Sequence, residues 1–399
     1  MIRQAYLGEF LAQKGRGIVP ADTPNEVFEL YSIPSFECRR PEIIPGSAIG
    51  SSKQIVSPGT VLLSKINPRI NRAWHVESWT SHTKIASTEW LTFPPHADLE
   101  PKYLEYTLRQ EWVREFMATN VSGVGGSLMR VKASTIDGLQ FPLPDLTTQR
   151  SIVAEIEKQF SRLDDAVTNL RRVKGNLKRY VSGVLGEAIA GRLITGSGAT
   201  WKAVEVAEVG DILLGRRRAP EYVTSAHERK YLRVANIKDD FVDFGDLETM
   251  RFDDMHLARY ELQTGDVLVS EGQSPEKLGQ SAIFRGHSEA LCFQSTLHRF
   301  RADPAMTTPE FAQIVFRSHV RSGVFRKLGS ITTNIGHLTL EKFKAAPFPL
   351  PPLDEQQRIV DEVERRFSIV RGVEAEVDAN LKRAQALRSA ILEKHFKQG

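Results

Sequence analysis

The stretch FPLPDLTTQRSIVAEI at residues 141–156 comes back as FPLPPLDEQQRIVDEV at 348–363, with nine of sixteen positions identical at a constant offset of 207. That offset is far too long for a solenoid repeat; it fits duplication of a whole domain plus a helix. In each copy the two prolines hold the chain extended and cannot sit inside a helix. A cap is expected just beyond them, at Thr147 in the first copy and Asp354 in the second. Apolar residues then recur at three–four spacing. One seam runs Val153, Ile156, Phe160, Leu163, Val167, Leu170, Leu177, Val181 and Val184. The other runs Val360, Val363, Phe367, Val370, Val377, Leu381, Ala384 and Ile391. This is the heptad pattern of a coiled coil. A helix of about 45 residues measures about 68 Å. Alone, it would leave its apolar stripe exposed. Two in one chain most simply pack on each other, and duplicated halves related by an approximate two-fold axis would run them antiparallel. Lys174 in the first seam, and Glu374 and Arg388 in the second, break the pattern and are expected to fix register.

Other segments repeat at similar offset. PGTVLLS (58–64) matches TGDVLVS (264–270), a turn followed by a buried strand. KYLEYTLRQEWVREF (102–116) matches PEFAQIVFRSHVRSGVF (309–325), each an amphipathic helix. The small-residue loops SGVGGSLMR (122–130) and GSITTNIGHL (329–338) follow. GRLITGSGAT (191–200) reads as a flexible linker between the halves. The expected fold is α+β: two mixed α/β domains and two long helices packed as an antiparallel coiled coil, with an internal pseudo-two-fold repeat. The boundaries are 1–141 for the first domain, 142–200 for the first helix and linker, 201–347 for the second domain and 348–399 for the second helix.

The sequence holds none of the common catalytic signatures. There is no phosphate-loop motif, no Asn/Asp-Pro-Pro-aromatic stretch, and no HxxxH or HExxH pair. GVGG at 123–126 follows a helix rather than a strand, which argues against a dinucleotide loop. The acidic residues of EIEKQ and DEVERR read as solvated faces of the long helices. The expectation is a chain with no catalytic site, cofactor or metal of its own. Two cysteines in 399 residues argue for a reducing compartment. The N-terminus lacks the apolar core of a signal peptide, and no run reaches 18 apolar residues, so a cytoplasmic protein without a membrane span is expected. Net charge is only +4, so any nucleic-acid surface must be a local patch.

Candidate patches lie in loops at equivalent places of the two halves. SKINPRINRAW (64–74) carries Lys65, Asn67, Arg69, Asn71 and Arg72, side chains suited to phosphates and base edges. SEGQSPEKLGQS (270–281) matches it by position, with Ser270, Gln273, Lys277 and Gln280. GRRRAP (215–220) adds Arg216, Arg217 and Arg218. The small-residue loops add Ser127 and Arg130 in the first half and Thr333, Asn334 and His337 in the second. No single loop is specific; their recurrence is the stronger argument. Two other readings remain open on these residues, an interaction protein built on a coiled coil and a self-sufficient nuclease or methyltransferase.

Taken together, FPLPDLTTQ and FPLPPLDEQ opening long heptad helices, with GTVLLS and GDVLVS upstream, resemble the specificity subunit of type I restriction-modification enzymes. The resemblance covers essentially the whole chain. Thr148 stands where the second copy has Glu355. The resemblance implies two target recognition domains, each reading one half of a split, asymmetric site in double-stranded DNA, with the helices setting the distance between half-sites. It also implies docking of two modification subunits that methylate adenine with S-adenosylmethionine, joined by two restriction subunits that use ATP and magnesium. The cofactors would then belong to the partners, and this chain would not be catalytic alone.

Overall fold

A computed structural model describes residues 2–12, 15–122, 129–194, 201–218, 228–332 and 334–396. The chain divides into two compact units, Met1–Asn169 with Asn380–Gly399, and Leu170–Ala379. The division cuts both long helices, Leu146–Ile189 and Leu353–Phe396, each 44 residues.

In the first unit, strand Arg3–Tyr6 pairs antiparallel with Gln140–Leu143, the strand that runs into the first FPLP and ends one residue short of its second proline. A five-stranded sheet runs in the order Gly17–Ile18, Lys53–Ile55, Thr83–Ser87, Val27–Tyr31 and Glu42–Pro45. Its Val27–Tyr31 and Thr83–Ser87 pair is parallel. Val61–Ser64, the strand of GTVLLS, is central in a three-stranded antiparallel sheet between Ala73–His75 and Trp90–Phe93. It is buried throughout, as a continuous apolar run bounded by turns requires. The start of the first long helix packs here against the end of the second: Val153, Ile156 and Phe160 share a core with Ile391 and Leu392. Arg388 pairs with Asp164 at 2.6 Å and lies over the Phe160 ring.

The second unit repeats this plan. Lys202–Glu205 pairs with Pro347–Leu350, the strand of the second FPLP. Val267–Ser270, the strand of GDVLVS, lies between Leu297–Ala302 and Ser281–Ile283, with Gly210–Leu214 beyond. Glu228–Leu232 pairs parallel with Cys292–Phe293 and antiparallel with Glu248–Arg251. The end of the first long helix packs on the start of the second, Val184, Leu185 and Ala188 joining Ile359, Val363 and Phe367. Lys174 pairs with Asp378 at 2.6 Å. From Asp164 to Lys174 the numbering rises by ten while from Arg388 to Asp378 it falls by ten, the signature of antiparallel packing. The fold is therefore the expected α+β arrangement. Two of the three seam-breaking charges, Lys174 and Arg388, are ion-paired across the helices.

Three local expectations need correction. The first long helix is capped by Asp145, not Thr147: Thr148 donates its N–H and hydroxyl to the Asp145 carboxylate at 2.9 and 3.0 Å. The second has Pro352 at the equivalent place; Asp354 lies inside the first turn, and the Gln356 N–H bonds the Pro352 carbonyl at 2.9 Å. The amphipathic segment before each small-residue loop is two helices, Pro101–Leu108 with Glu111–Thr119, and Pro309–Ser322 with Val324–Leu328. In the second half the break is Gly323 at φ +77°, a left-handed conformation glycine adopts without a Cβ clash. Residues 195–200 of the expected linker lie outside the described residues.

Gln149 and Gln356, the repeated glutamines, are both fully buried. The Gln149 amide donates to the carbonyls of Asp98 and Pro144 at 2.9 and 2.7 Å, while its oxygen accepts from the Glu100 N–H at 2.8 Å. Gln356 donates to Met306 and Pro351, both at 2.9 Å. Its oxygen accepts from the Thr307 hydroxyl and the Thr308 N–H at 2.9 and 3.2 Å. Each glutamine thus bolts a long helix to the residues that open the amphipathic helix of its own domain, Pro101–Leu108 in the first and Pro309–Ser322 in the second.

Candidate nucleic-acid interface

In both halves the structure brings together the two loops that the sequence offered separately. In the first unit, the chain after Ser64 lies beside the hairpin strands Val121–Ser122 and Arg130–Val131. Ile66 bridges Arg130, Val131 N–H reaches the Lys65 carbonyl at 3.0 Å, and Asn67 N–H reaches the Met129 carbonyl at 2.9 Å. Asn67 and Asn71 flank a 3-10 turn over Pro68–Ile70, both at φ +48°. Asparagine tolerates this left-handed region better than other residues with a side chain. Asn71 also donates to the Gln110 carbonyl at 3.3 Å. The two asparagines therefore shape the loop. Arg69 is exposed and Lys65 half-buried, and neither is paired with a carboxylate among the described residues. Arg72 is held by Glu37 at 3.3 Å and Arg130 by Glu89 at 2.9 Å. Ser127 lies outside the described residues.

In the second unit the equivalent loops form a three-stranded sheet, Gly272–Gln273, Ile335–His337 and Ser330–Thr332. Gln273 is half-buried opposite Gly336, and Leu338 N–H closes on the Glu271 carbonyl at 2.7 Å. Lys277 and Asn334 are exposed, and Gln280 is half-buried. His337 Nδ1 sits 3.3 Å from Glu271 Oε1. Thr333 lies outside the described residues.

Two candidates differ from the exposed contacts expected of them. Arg216 is 7% exposed; it donates to the Arg251 carbonyl and lies over the Phe252 ring. Ser270 is fully buried in its strand. Its position, the last of an apolar strand, faces the core by the same alternation that buries Leu268. Of the three adjacent arginines, Arg217 is exposed and Arg218 pairs with Glu248 at 3.1 Å. Arg233, not among the candidates, has its guanidinium spanning Asp246 at 2.5 Å and Glu248 at 3.0 Å. Ile331 and Ile335, read only as part of a small-residue loop, are exposed on short strands.

Two histidines in the core of the second unit are perturbed. Burial pushes His298 down to about 4; its Nε2–H donates to the Leu338 carbonyl at 2.7 Å and its ring stacks on Phe343. Burial also lowers His319, which donates to the Pro347 carbonyl at 2.6 Å. Among the described residues no group of three or more His, Cys, Asp or Glu could hold a metal ion. No helix among them is long and apolar enough to cross a membrane.

Residues 199–377 match the family model of the type I restriction modification DNA specificity domain. The chain is 25% identical over 312 residues to the type I restriction enzyme StySPI specificity subunit of Salmonella potsdam, covering 76% of this chain and 66% of that protein. It is 24% identical over 286 residues to the EcoKI specificity subunit of Escherichia coli K12, covering 68% and 60%. The chain thus spans less than two thirds of the length of these relatives. In fold, a chain of a type I R-M system superposes with TM-score 0.77 at 19% identity, covering 99% of this chain and 97% of that one. The HsdS subunit from Thermoanaerobacter tengcongensis gives 0.55 at 19%, covering 100% and 97%. The matched residues fall in the second half, whose plan of strand pair, glutamine bolt and long helix recurs in the first.

Proposed function

We propose that this chain is the DNA-recognition subunit of a type I restriction-modification complex, reading a bipartite, asymmetric site with two domains and setting the half-site spacing with its paired helices. The observation that carries this reading is the duplicated joint. Two domains of one plan, with different surface loops, are each bolted by a buried glutamine to a long helix. Different loops on a common frame suit two different half-sites. Two like helix starts suit two copies of one partner. The ruler follows from stiffness: a helix rises about 1.5 Å per residue and each DNA strand about 3.4 Å per base, so helix length maps onto a base-pair count. Lys65, Arg69, Arg217 and Lys277 would supply phosphate contacts, which give affinity and orientation without sequence information.

Two modification subunits that methylate adenine would dock on this chain, and two restriction subunits would join them. S-adenosylmethionine and ATP with magnesium would be bound by those partners, and the assembly would act in the cytoplasm. Exposed Tyr180, Ile369 and Val373 on the helices of the second unit supply apolar surface for a partner. Selecting random-sequence DNA with the chain and its methyltransferase tests the reading. A bipartite consensus is expected, and bound DNA without bipartite enrichment overturns it in favour of a coiled-coil interaction protein. Methyl transfer or cleavage by this chain alone would favour the self-sufficient enzyme.

A further inference from the structure

The small sheet Gly272–Gln273, Ile335–His337 and Ser330–Thr332 has two unlike faces. Residues directly opposite in an antiparallel pair share a face, and neighbours along a strand alternate. Ile331, Gly336 and Gln273 therefore lie on one face. That face meets the domain at Gly336, where a Cβ would come 3.0 Å from Leu278, itself 1% exposed, while Ile331 on the outer strand is 45% exposed. The opposite face carries Ser330, Thr332, Ile335, His337 and Gly272. Its polar members at the base are steadied, Ser330 by Lys342 at 2.8 Å and His337 by Glu271 at 3.3 Å. Ile335 is 52% exposed on this face, next to the ribbon's turn.

An isoleucine held out on an ordered ribbon offers apolar surface to an occupant, and the charge of the flanking segments bears on which. Lys277, and Arg326 and Lys327 in the short helix that leads into the ribbon, are exposed and carry no carboxylate partner among the described residues. Exposed cations in the segments that flank the ribbon, beside its apolar Ile335, suit a polyanion with a methyl group inside its groove. The major groove of DNA admits a β-ribbon, and thymine is the base that presents a methyl group there. We propose that Ile335 is a specificity-determining residue that packs on a thymine methyl in the half-site read by the second domain. This rests on the DNA-reading function proposed above.

The test removes the methyl from the DNA and the side chain from the protein separately. Duplexes carrying the selected site are made with each thymine of the second half-site replaced in turn by deoxyuridine. They are titrated with the full chain and its methyltransferase, as wild type, Ile335→Val and Ile335→Ala. At one position wild type should lose about fourfold in affinity, the ratio to which ~0.8 kcal/mol per buried carbon converts. Ile335→Ala should bind thymine and deoxyuridine duplexes alike there, with Ile335→Val between. A half-site without thymine, deoxyuridine tolerated at every position, or the same loss in wild type and Ile335→Ala would each overturn the proposal while leaving bipartite recognition standing. Binding without any bipartite preference would remove the functional reading and this proposal together.

Discussion

Single residues show where the repeat exerts its effect. Gln149 and Gln356 are invisible to a hydrophobic pattern, yet each satisfies several backbone groups in a place closed to water. Truncating Gln356 to alanine would leave the Thr308 N–H and the carbonyls of Met306 and Pro351 without partners. A loss of about 2 kcal/mol or more in denaturant unfolding is expected, since unsatisfied buried groups cost roughly 1–3 kcal/mol. Gln149→Ala should act alike on the first unit. His298 gives a prediction in pH. Its folded-state pKa is lowered to about 4 by burial, against 6.5 for the ordinary group. Above pH 6.5 it is neutral in both states and costs nothing. As pH falls from 6.5 to 4 the unfolded chain takes up the proton first, so the fold loses roughly 3 kcal/mol over that window. His319 is shifted the same way. Unfolding free energies of wild type and His298→Gln, compared from pH 7 to 4, should diverge, with the wild type falling faster.

At the scale of elements, the two long helices were the most legible feature, because a heptad seam is a local pattern that needs no knowledge of the rest of the chain. Their register was not. Lys174–Asp378 and Arg388–Asp164 are partners 204 and 224 residues apart. Lys174 and Asp378 are 40% and 49% exposed, so the pair contributes only a few tenths of a kcal/mol; what it supplies is a penalty for slipped pairings. Lys174→Asp should lower the unfolding midpoint slightly, and adding Asp378→Lys should restore it; equal, additive losses in the double-mutant cycle would show no coupling. The caps and the split amphipathic helices were misread for the opposite reason. Asp145 and Pro352 differ at one aligned position, and only the backbone geometry shows which nearby oxygen takes the free N–H groups.

For the whole molecule, the prediction concerns length and exchange. Inserting four residues near Lys174, matched by four near Asp378 to keep the antiparallel pairing, should lengthen the preferred spacer without changing either half-site. Mapping methylated adenines in cells carrying the variant reads this directly. Half-site letters that change while the spacing stays would remove the ruler. Replacing residues 201–347 by a homologous domain should alter one half-site alone. Alanine at Lys65, Arg69 and Lys277 should weaken binding on all sequences and reduce the salt slope by about one per lost phosphate contact.

The sequence by itself determined the duplication, the helix pair and the two strands of GTVLLS and GDVLVS, because these rest on repeated words and on periodicity within single elements. The candidate loops were found by composition, and composition does not say which way a side chain points. Tertiary structure decided that Arg216 and Ser270 are core while Arg217 and Ile335 face out. It also decided that Asn67 and Asn71 turn the chain, and that the two loops of each half meet. It revealed as well that Val27–Tyr31 and Glu228–Leu232, unlike in sequence, hold equivalent parallel pairings. Pairing across a sheet is set by neighbours distant in the chain, and burial by what they cover. The FPLP joints stayed readable because they combine a local proline signal with a glutamine whose buried amide leaves little choice of residue.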